Sequence, residues 1–226
     1  MAITEFNALQ HCREYQYDYV TVLEELIPEN ICAALRQRVN ELISKEQIKL
    51  VNHKGLGTYE VSDQGGQYLH HIFQGPDVRT HLPELCAIYH SILPLIGCVT
   101  NLDVVVSPHA RSDINIKVYP KGGGTLGEHY DSNGITVLLF LTTNKEAPLR
   151  MQIPRSHPSK KLPCIERKNI YAKSGALLIM KGREVLHDCE PTVTEQKITV
   201  VFNYYARHDT WRHEKFDAFV YDGAKP

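Results

Sequence analysis

An excess of charge of either sign is missing from this sequence: 25 Lys and Arg stand against 26 Asp and Glu, a formal net charge of -1. Without surplus positive field to hold a phosphate backbone, nucleic acid and anionic membrane are disfavoured as principal partners. The six cysteines, Cys12, Cys32, Cys86, Cys98, Cys164 and Cys189, include no C-x-x-C pair. Zinc knuckles and thioredoxin-type redox sites are thereby not indicated, and the thiols read as those of a reducing compartment. Long apolar runs are missing too. A stretch such as Val137 to Leu141 falls far short of the ~20 residues of a spanning helix. The opening Met1-Ala2-Ile3-Thr4-Glu5-Phe6 has no basic segment leading into an apolar one. A soluble, cytoplasmic chain is the expectation.

What is present is the composition of one folded core: 226 residues, 42% hydrophobic and 23% charged. Folding at this length buries about 70% of the open chain's surface. Stability then needs no disulfide or structural metal, and a metal, if bound, is free to be functional. No repeat, low-complexity tract or linker divides the chain, so residues 1–226 are read as one domain: 1–100 a mainly helical buttress with a loop, 101–206 the core, 207–226 a tail.

Between Pro28 and Gln47, Ile31, Leu35, Val39, Leu42 and Ile43 recur at three- and four-residue spacing with charged residues between them, which predicts an amphipathic helix. Pro28 suits its first turn. A second helical pattern runs from Pro83 to about Leu95 and ends near Gly97. Gly55, Gly57, Gly65, Gly66 and Gly75 punctuate the polar stretch between, which predicts a loop, either inert or bordering a pocket. From residue 103 the texture changes to short β-rich runs, 104–107, 114–119, 135–142, 149–153, 176–180 and 198–206, parted by Gly and Pro clusters. Helices followed by many strands predict an antiparallel sandwich or barrel with helices on one face.

His129-Tyr130-Asp131 carries the chemistry. On a strand, side chains at i and i+2 share a face, so an imidazole and a carboxylate can meet one ion. An H-x-D alone arises easily by chance in a chain with 12 His. A third ligand is available at His187, 56 residues after Asp131, at the end of a strand-turn-strand pattern. Two imidazoles and one carboxylate form a facial triad that leaves three positions of an octahedral iron(II) open, whereas a structural zinc site is closed by a fourth protein ligand. Ten residues beyond His187 comes Lys197, with Thr199 on the same strand face; together they offer an ammonium and a hydroxyl to a carboxylate.

With these residues in place the sequence resembles the iron(II)- and 2-oxoglutarate-dependent oxygenases, whose pattern is H-x-D, a gap, a His, then Arg or Lys about ten residues on. Tyr119-Pro-Lys-Gly-Gly-Gly-Thr-Leu-Gly-Glu-His129-Tyr-Asp131 is similar to the family's lead-in, and Ser132 to Leu141 to its apolar strand. Lys173 to Met180 and His187-Asp-Cys-Glu-Pro191 through Lys197 resemble the prolyl-hydroxylase branch, where a Lys takes the cosubstrate position. Leu149 to His157, LRMQIPRSH, is closer to the phytanoyl-CoA hydroxylase branch, with Arg155 in place of a glycine. Lys197 for the commoner Arg replaces a forked donor by a point charge.

The resemblance implies a double-stranded β-helix, a cupin-like jelly-roll, that is mostly β with buttressing helices. It implies Fe(II), 2-oxoglutarate and O2 as cofactor and cosubstrates, with His129, Asp131 and His187 on the metal and Lys197, Thr199 and Tyr119 on the cosubstrate. Tyr119 also suits a core position with one wet end. Arg155 and Arg150 are candidates to hold an anionic substrate group, or are solvated surface arginines; Asn115, Asn203 and Tyr205 share the inward face of their strands and are further candidates. Lys117 lies on that face with Asn115. His70, His71, His157, His208 and His213 lack a partner at ligand spacing and read as surface or hydrogen-bonded residues. The expected activity is a dioxygenase hydroxylating a C–H bond of a small molecule. The alternatives are a peptidyl, prolyl-type hydroxylase and a non-catalytic metal- or ligand-binding jelly-roll.

Overall fold

The computed structural model describes residues 7–54, 66–155, 164–209 and 217. Twelve strands form one strongly curled antiparallel sheet: β1 (Val20–Leu23), β2 (Leu50–Lys54), β3 (Gln67–Phe73), β4 (Val104–Val106), β5 (Ile114–Tyr119), β6 (Thr125–His129), β7 (Ile135–Phe140), β8 (Leu149–Arg155), β9 (Cys164–Ile170), β10 (Leu177–Lys181), β11 (Leu186–Cys189) and β12 (Lys197–Ala206). Their order is β1-β10-β7-β12-β5-β3-β6-β11-β8-β9, with β2 on β3 and β4 on β12. The run β10-β7-β12-β5 and the run β6-β11-β8-β9 face each other across one cavity, to which both contribute lining residues. This is the jelly-roll predicted above.

β7, β10 and β12 are buried on both faces, and β7 and β10 accordingly read as nearly continuous apolar runs. Ile135, Val137 and Leu139 of β7, with Ile198, Val200 and Phe202 of β12, pack into a core shared with the helices; Leu138, Phe140, Leu178 and Val201 point the other way, into the core between the two halves. The helices buttress the first of these layers. α2 (Glu29–Ser44) buries Cys32, Leu35 and Val39, and Pro28 stands at its N-terminus as expected. Full burial of a Leu such as Leu35 contributes about 1.5–3 kcal/mol.

Two expectations are corrected, and one segment went unread. The helical pattern from Pro83 does not stop at Gly97 but divides into α4 (Pro83–Ser91) and α5 (Leu93–Thr100). The break falls at Ile92 because Pro94, in the first turn of α5, has no N–H to continue the ladder of α4. The stretch between the two predicted helices is not all loop: it holds β2, β3 and the short helix α3 (Gly75–His81), while Gly55, Gly57 and Gly65 lie outside the described residues. At the N-terminus, the helical turns α1 (Ala8–Arg13) and a π-turn (Glu14–Asp18) lead into β1, none of which the periodicity announced.

Candidate metal centre

β6 and β11 are neighbours, and their register sets His129 directly opposite His187. Asp131 follows in the turn after β6, where its N–H donates to the Gly182 carbonyl at 3.0 Å. One ligand atom from each of the three lies within 4.8 Å of the others. Asp131 Oδ1 is 3.6 Å from His129 Nε2 and Oδ2 is 3.7 Å from His187 Nε2. The ring centroids are 4.3 Å apart.

The surroundings put each group in its ligating form. Nδ1 of His129 is 2.8 Å from the Gly127 carbonyl and Nδ1 of His187 is 3.0 Å from that of Val185. A carbonyl only accepts, so each Nδ1 carries the proton and each Nε2 turns a lone pair toward Asp131. Burial, and then the neighbouring His129, push His187 down to about 4, which leaves it neutral at physiological pH. Burial alone would raise Asp131, but the positive field of the surrounding His187, His129 and Lys117 outweighs it and holds the carboxyl well below the usual range. Thr136 donates to Asp131 Oδ2 at 2.5 Å, and its hydroxyl in turn accepts from Asn133 Nδ2 at 2.9 Å. An ionised carboxylate and two imidazoles that turn Nε2 toward it, with no fourth protein ligand in the cluster among the described residues, fit an octahedral divalent iron with three positions open.

Beneath the cluster lies a cavity lined by Lys117 and Tyr119 of β5, Lys197 and Thr199 of β12, Cys189 of β11, and apolar residues including Leu138, Phe140 and Leu149. Lys197 faces Tyr119 across the β5–β12 pair, and Thr199 faces Lys117 one inward step nearer the metal end. The three expected cosubstrate residues are thus together. Lys197 is 2% exposed and donates to the Ala147 carbonyl at 2.9 Å and to Cys189 Sγ at 3.2 Å. Burial raises the Cys189 thiol despite Lys197 beside it, so it stays protonated. The Thr199 hydroxyl is buried without a hydrogen-bond partner.

The other candidates divide. Asn115 is buried on β5 with its Oδ1 unpartnered. Asn203 pairs across from Thr136 and donates to the Ser112 carbonyl at 2.5 Å. Tyr205 lies beneath the Arg183 guanidinium. Arg150 and Arg155 do not line the cavity: Arg150 pairs with Asp188 and Glu190, and Arg155 with Asp18 and Glu166. Their guanidinium groups are already matched by acids outside the cavity. His70 is not at the surface. It is 3% exposed, packs against Tyr119 with centroids 5.7 Å apart, and burial pushes it down to about 3. His71 is half-buried and His208 exposed; His157 and His213 lie outside the described residues.

The residue that sequence reasoning underweighted is Lys117. Strand alternation places it inward with Asn115 and Tyr119, a signal that was available but ran against the usual exposure of lysine.

No protein-family model and no curated protein matches this sequence. Solved structures do match in fold. The non-heme alpha ketoglutarate dependent carbocyclase SnoK from nogalamycin biosynthesis superposes with TM-score 0.68 at 14% identity, over 96% of this chain and 90% of that one. The epimerase SnoN, solved with Fe3+, alpha ketoglutarate and nogalamycin RO, gives 0.68 at 10% over 97% and 90%. A prolyl hydroxylase from Trichoplax adhaerens, in complex with a hypoxia inducible factor peptide fragment, gives 0.63 at 15% over 88% and 89%. The chain has the double-stranded β-helix fold of these enzymes along nearly its whole described length.

Proposed function

We propose that this protein is a non-haem iron(II)- and 2-oxoglutarate-dependent oxygenase that hydroxylates a C–H bond of a small molecule. The observation that carries the reading is the convergence of His129, Asp131 and His187 above a buried polar floor of Lys197, Thr199 and Tyr119. Iron(II) bound there, with 2-oxoglutarate and O2, supplies oxidation of an unactivated C–H bond, the oxo acid leaving as succinate and CO2. The chain's own residues set the conditions. Thr136 and Asn133 hold Asp131; the carbonyls of Gly127 and Val185 hold the imidazoles. Lys197, Thr199 and Tyr119 offer donors to the carboxylate of the cosubstrate, and Leu138, Phe140, Leu149 and Val201 exclude water. Asn115, Asn203 and Tyr205 stand on the same strand faces toward the substrate side. With Arg150 and Arg155 committed to ion pairs, neither is proposed for substrate.

A small-molecule substrate is supported by two of the fold neighbours, an epimerase and a carbocyclase, being from nogalamycin biosynthesis. Peptidyl hydroxylation is the second reading, supported by the prolyl-hydroxylase neighbour and by Lys197 ten residues after His187. A cytoplasmic location accords with the six cysteines all being free. The test is succinate formation by the iron(II)-loaded protein supplied with 2-oxoglutarate and fractions of cell extract, with mass spectrometry of metabolites and of peptides. A metabolite heavier by one oxygen is expected; an oxidised peptide moves the substrate to the second reading. Absence of succinate throughout, with metal affinity unchanged in Asp131→Ala, rejects the enzyme in favour of a binding jelly-roll.

A further inference from the structure

Cys189 has no part in the functional scheme above, yet it is in direct contact with a residue that has one. Cys189 and Lys197 both line the cavity, and both are 2% exposed. Lys197 Nζ lies 3.2 Å from Cys189 Sγ and 2.9 Å from the Ala147 carbonyl oxygen. The second bond holds the amine against the sulfur, so the contact is fixed by the fold. Among the described residues every cysteine is free, and no other cysteine lines this cavity. An oxidised Cys189 therefore has no thiol to resolve it, and the amine of Lys197 stands in that place. The same cavity reaches the metal ligands Asp131 and His187. A buried thiol is screened from bulky oxidants in solution, which leaves small, uncharged dioxygen inside the cavity as its matching oxidant.

We propose that Cys189 and Lys197 form a modification site at which dioxygen joins them through one bridging oxygen, Lys197 Nζ–O–Sγ Cys189, and that this link shuts the cavity to the oxo acid. The link itself follows from the contact of the two side chains. Its consequence rests on the reading of the cavity as a 2-oxo-acid site.

In the step, the Lys197 ammonium loses two hydrogens and the Cys189 thiol loses one, while N–O and O–S bonds form to one atom of dioxygen. Nitrogen and sulfur are each oxidised by two electrons, and dioxygen takes up all four. Its other atom leaves as water with two of the hydrogens, and the remaining proton passes to solvent. Two molecules of a dithiol return the four electrons, release the bridging oxygen as water and restore the amine and the thiol. Lys197 gives two hydrogens to Ala147 and Cys189 and keeps one N–H for a ligand. In the link the nitrogen is uncharged and keeps a single hydrogen, so the floor loses the cation that faces a carboxylate.

The experiment uses Mn(II)-loaded protein, in which an oxo acid can bind without turnover. One portion is kept anaerobic, another is held under oxygen, and both are digested with trypsin without reductant. Cleavage after Arg183, Lys197 and Arg207 places Cys189 and Lys197 in one peptide, 184–197. A linked Lys197 is no longer a cleavage site. The oxygen-exposed parent should therefore give the peptide 184–207, heavier by one oxygen and lighter by two hydrogens, and dithiothreitol before digestion should restore the cut. Cys189→Ser and Lys197→Arg should be cut at 197 in both portions. By calorimetry, the linked parent should bind 2-oxoglutarate about tenfold or more weakly, as for a lost charged hydrogen bond in a buried site. Dithiothreitol should reverse the loss, and Cys189→Ser should bind equally before and after oxygen.

Normal cleavage at 197 in the oxygen-exposed parent would overturn the proposal. So would oxygen found on Cys189 alone as a sulfinic acid, or an uncut peptide that persists in Cys189→Ser. A linked protein that binds 2-oxoglutarate like the parent would overturn the shut-off. If the link forms but the reduced parent binds manganese and no 2-oxoglutarate, the modification is upheld and the oxo-acid reading of the cavity has failed.

Discussion

Thr136 and Gly182 show how far a metal centre depends on residues that never touch the ion. The Thr136 hydroxyl gives Asp131 Oδ2 a donor at 2.5 Å and is itself oriented by Asn133. Thr136→Val keeps the shape and removes that donor. The carboxylate is then freed to rotate, and iron(II) or Mn(II) affinity should fall about tenfold, read by competition with a chelator. Gly182 acts by having no side chain. A methyl there would sit 2.5 Å from Thr136 Oγ1, 2.8 Å from the Asn133 carbonyl and 2.9 Å from Asp131 Cβ. Backbone and ligand must both move, so Gly182→Ala should cost more metal affinity than Thr136→Val while circular dichroism stays unchanged. Metal affinity equal to the parent would show that Asp131 is not held from this side. The same scale explains what was legible in the site. His129 and Asp131 stand two residues apart at the end of β6, and Lys197 follows His187 by ten at the start of β12, spacings that strand alternation makes readable as shared faces. Lys117 obeys the same alternation, but a lysine inside a barrel contradicts the ordinary solvation of its charge. The two arginines are turned to ion pairs for the opposite reason: their partners, Asp18 of the π-turn, Glu166 of β9, Asp188 of β11 and Glu190 just beyond it, are brought to them by folding and not by any local pattern.

At the scale of elements, β5, β7, β10 and β12 could be read because their apolar runs are buried on both faces, and α2 because its stripe repeats with the helical period. β6, β3 and β9 could not. β6 contains Gly127, which passes Gly66 so closely that a Cβ on either would meet the other's backbone at 2.5–2.6 Å, so packing rather than propensity makes it a strand. β9 is an exposed edge, its charged Glu166, Arg167 and Lys168 guarding the open ladder. β3 carries His70, a polar residue in a core position. Because burial holds His70 near 3 in the fold against an ordinary value near 6.5, the unfolded chain takes up its proton first. The stability it protects is whole above about pH 6.5 and drains as pH falls toward the folded value, by about 1 kcal/mol per pH unit from this ring. Urea midpoints of the metal-free protein should therefore drop between pH 6.5 and 4.5, and less steeply in His70→Gln; equal slopes would mean that the ring is solvated. A second anchor holds the loop between β11 and β12. One Glu146 oxygen accepts the N–H groups of Val193, Thr194 and Glu195, and the other accepts the Thr194 hydroxyl; these bonds, chiefly the one from Glu195, pull Glu146 down to about 2. Glu146→Ala should accelerate hydrogen exchange at those three amides, and exchange as slow as in the parent would show that the loop is held elsewhere.

Across the whole molecule, the two cores do different work. The core between the sheet halves surrounds the cavity and sets its dryness; the core between sheet and helices carries most of the large buried side chains and no ligand. Tyr89 of α4 ties the second core together. Its hydroxyl donates to the Asn203 carbonyl at 2.7 Å and accepts from the Ser107 N–H at 2.8 Å, its own carbonyl accepts from the Tyr204 hydroxyl at 2.6 Å, and its ring lies 4.7 Å from that of Tyr204 and 5.6 Å from that of Phe202. Tyr89→Ala removes a fully buried aromatic ring and should destabilise the fold by about 3–5 kcal/mol. Tyr89→Phe keeps the ring but strands the Ser107 N–H, which costs about 1–3 kcal/mol. The metal ligands come from β6, β11 and the turn after β6, on strands that do not touch α4, so whatever fraction remains folded should bind iron(II) with parental affinity. Urea unfolding and metal titration on the same samples separate the two quantities. A Tyr89→Phe protein of full stability but weakened metal binding would mean that the helices position the centre through β12, and that the buttress belongs to the chemistry rather than only to the fold.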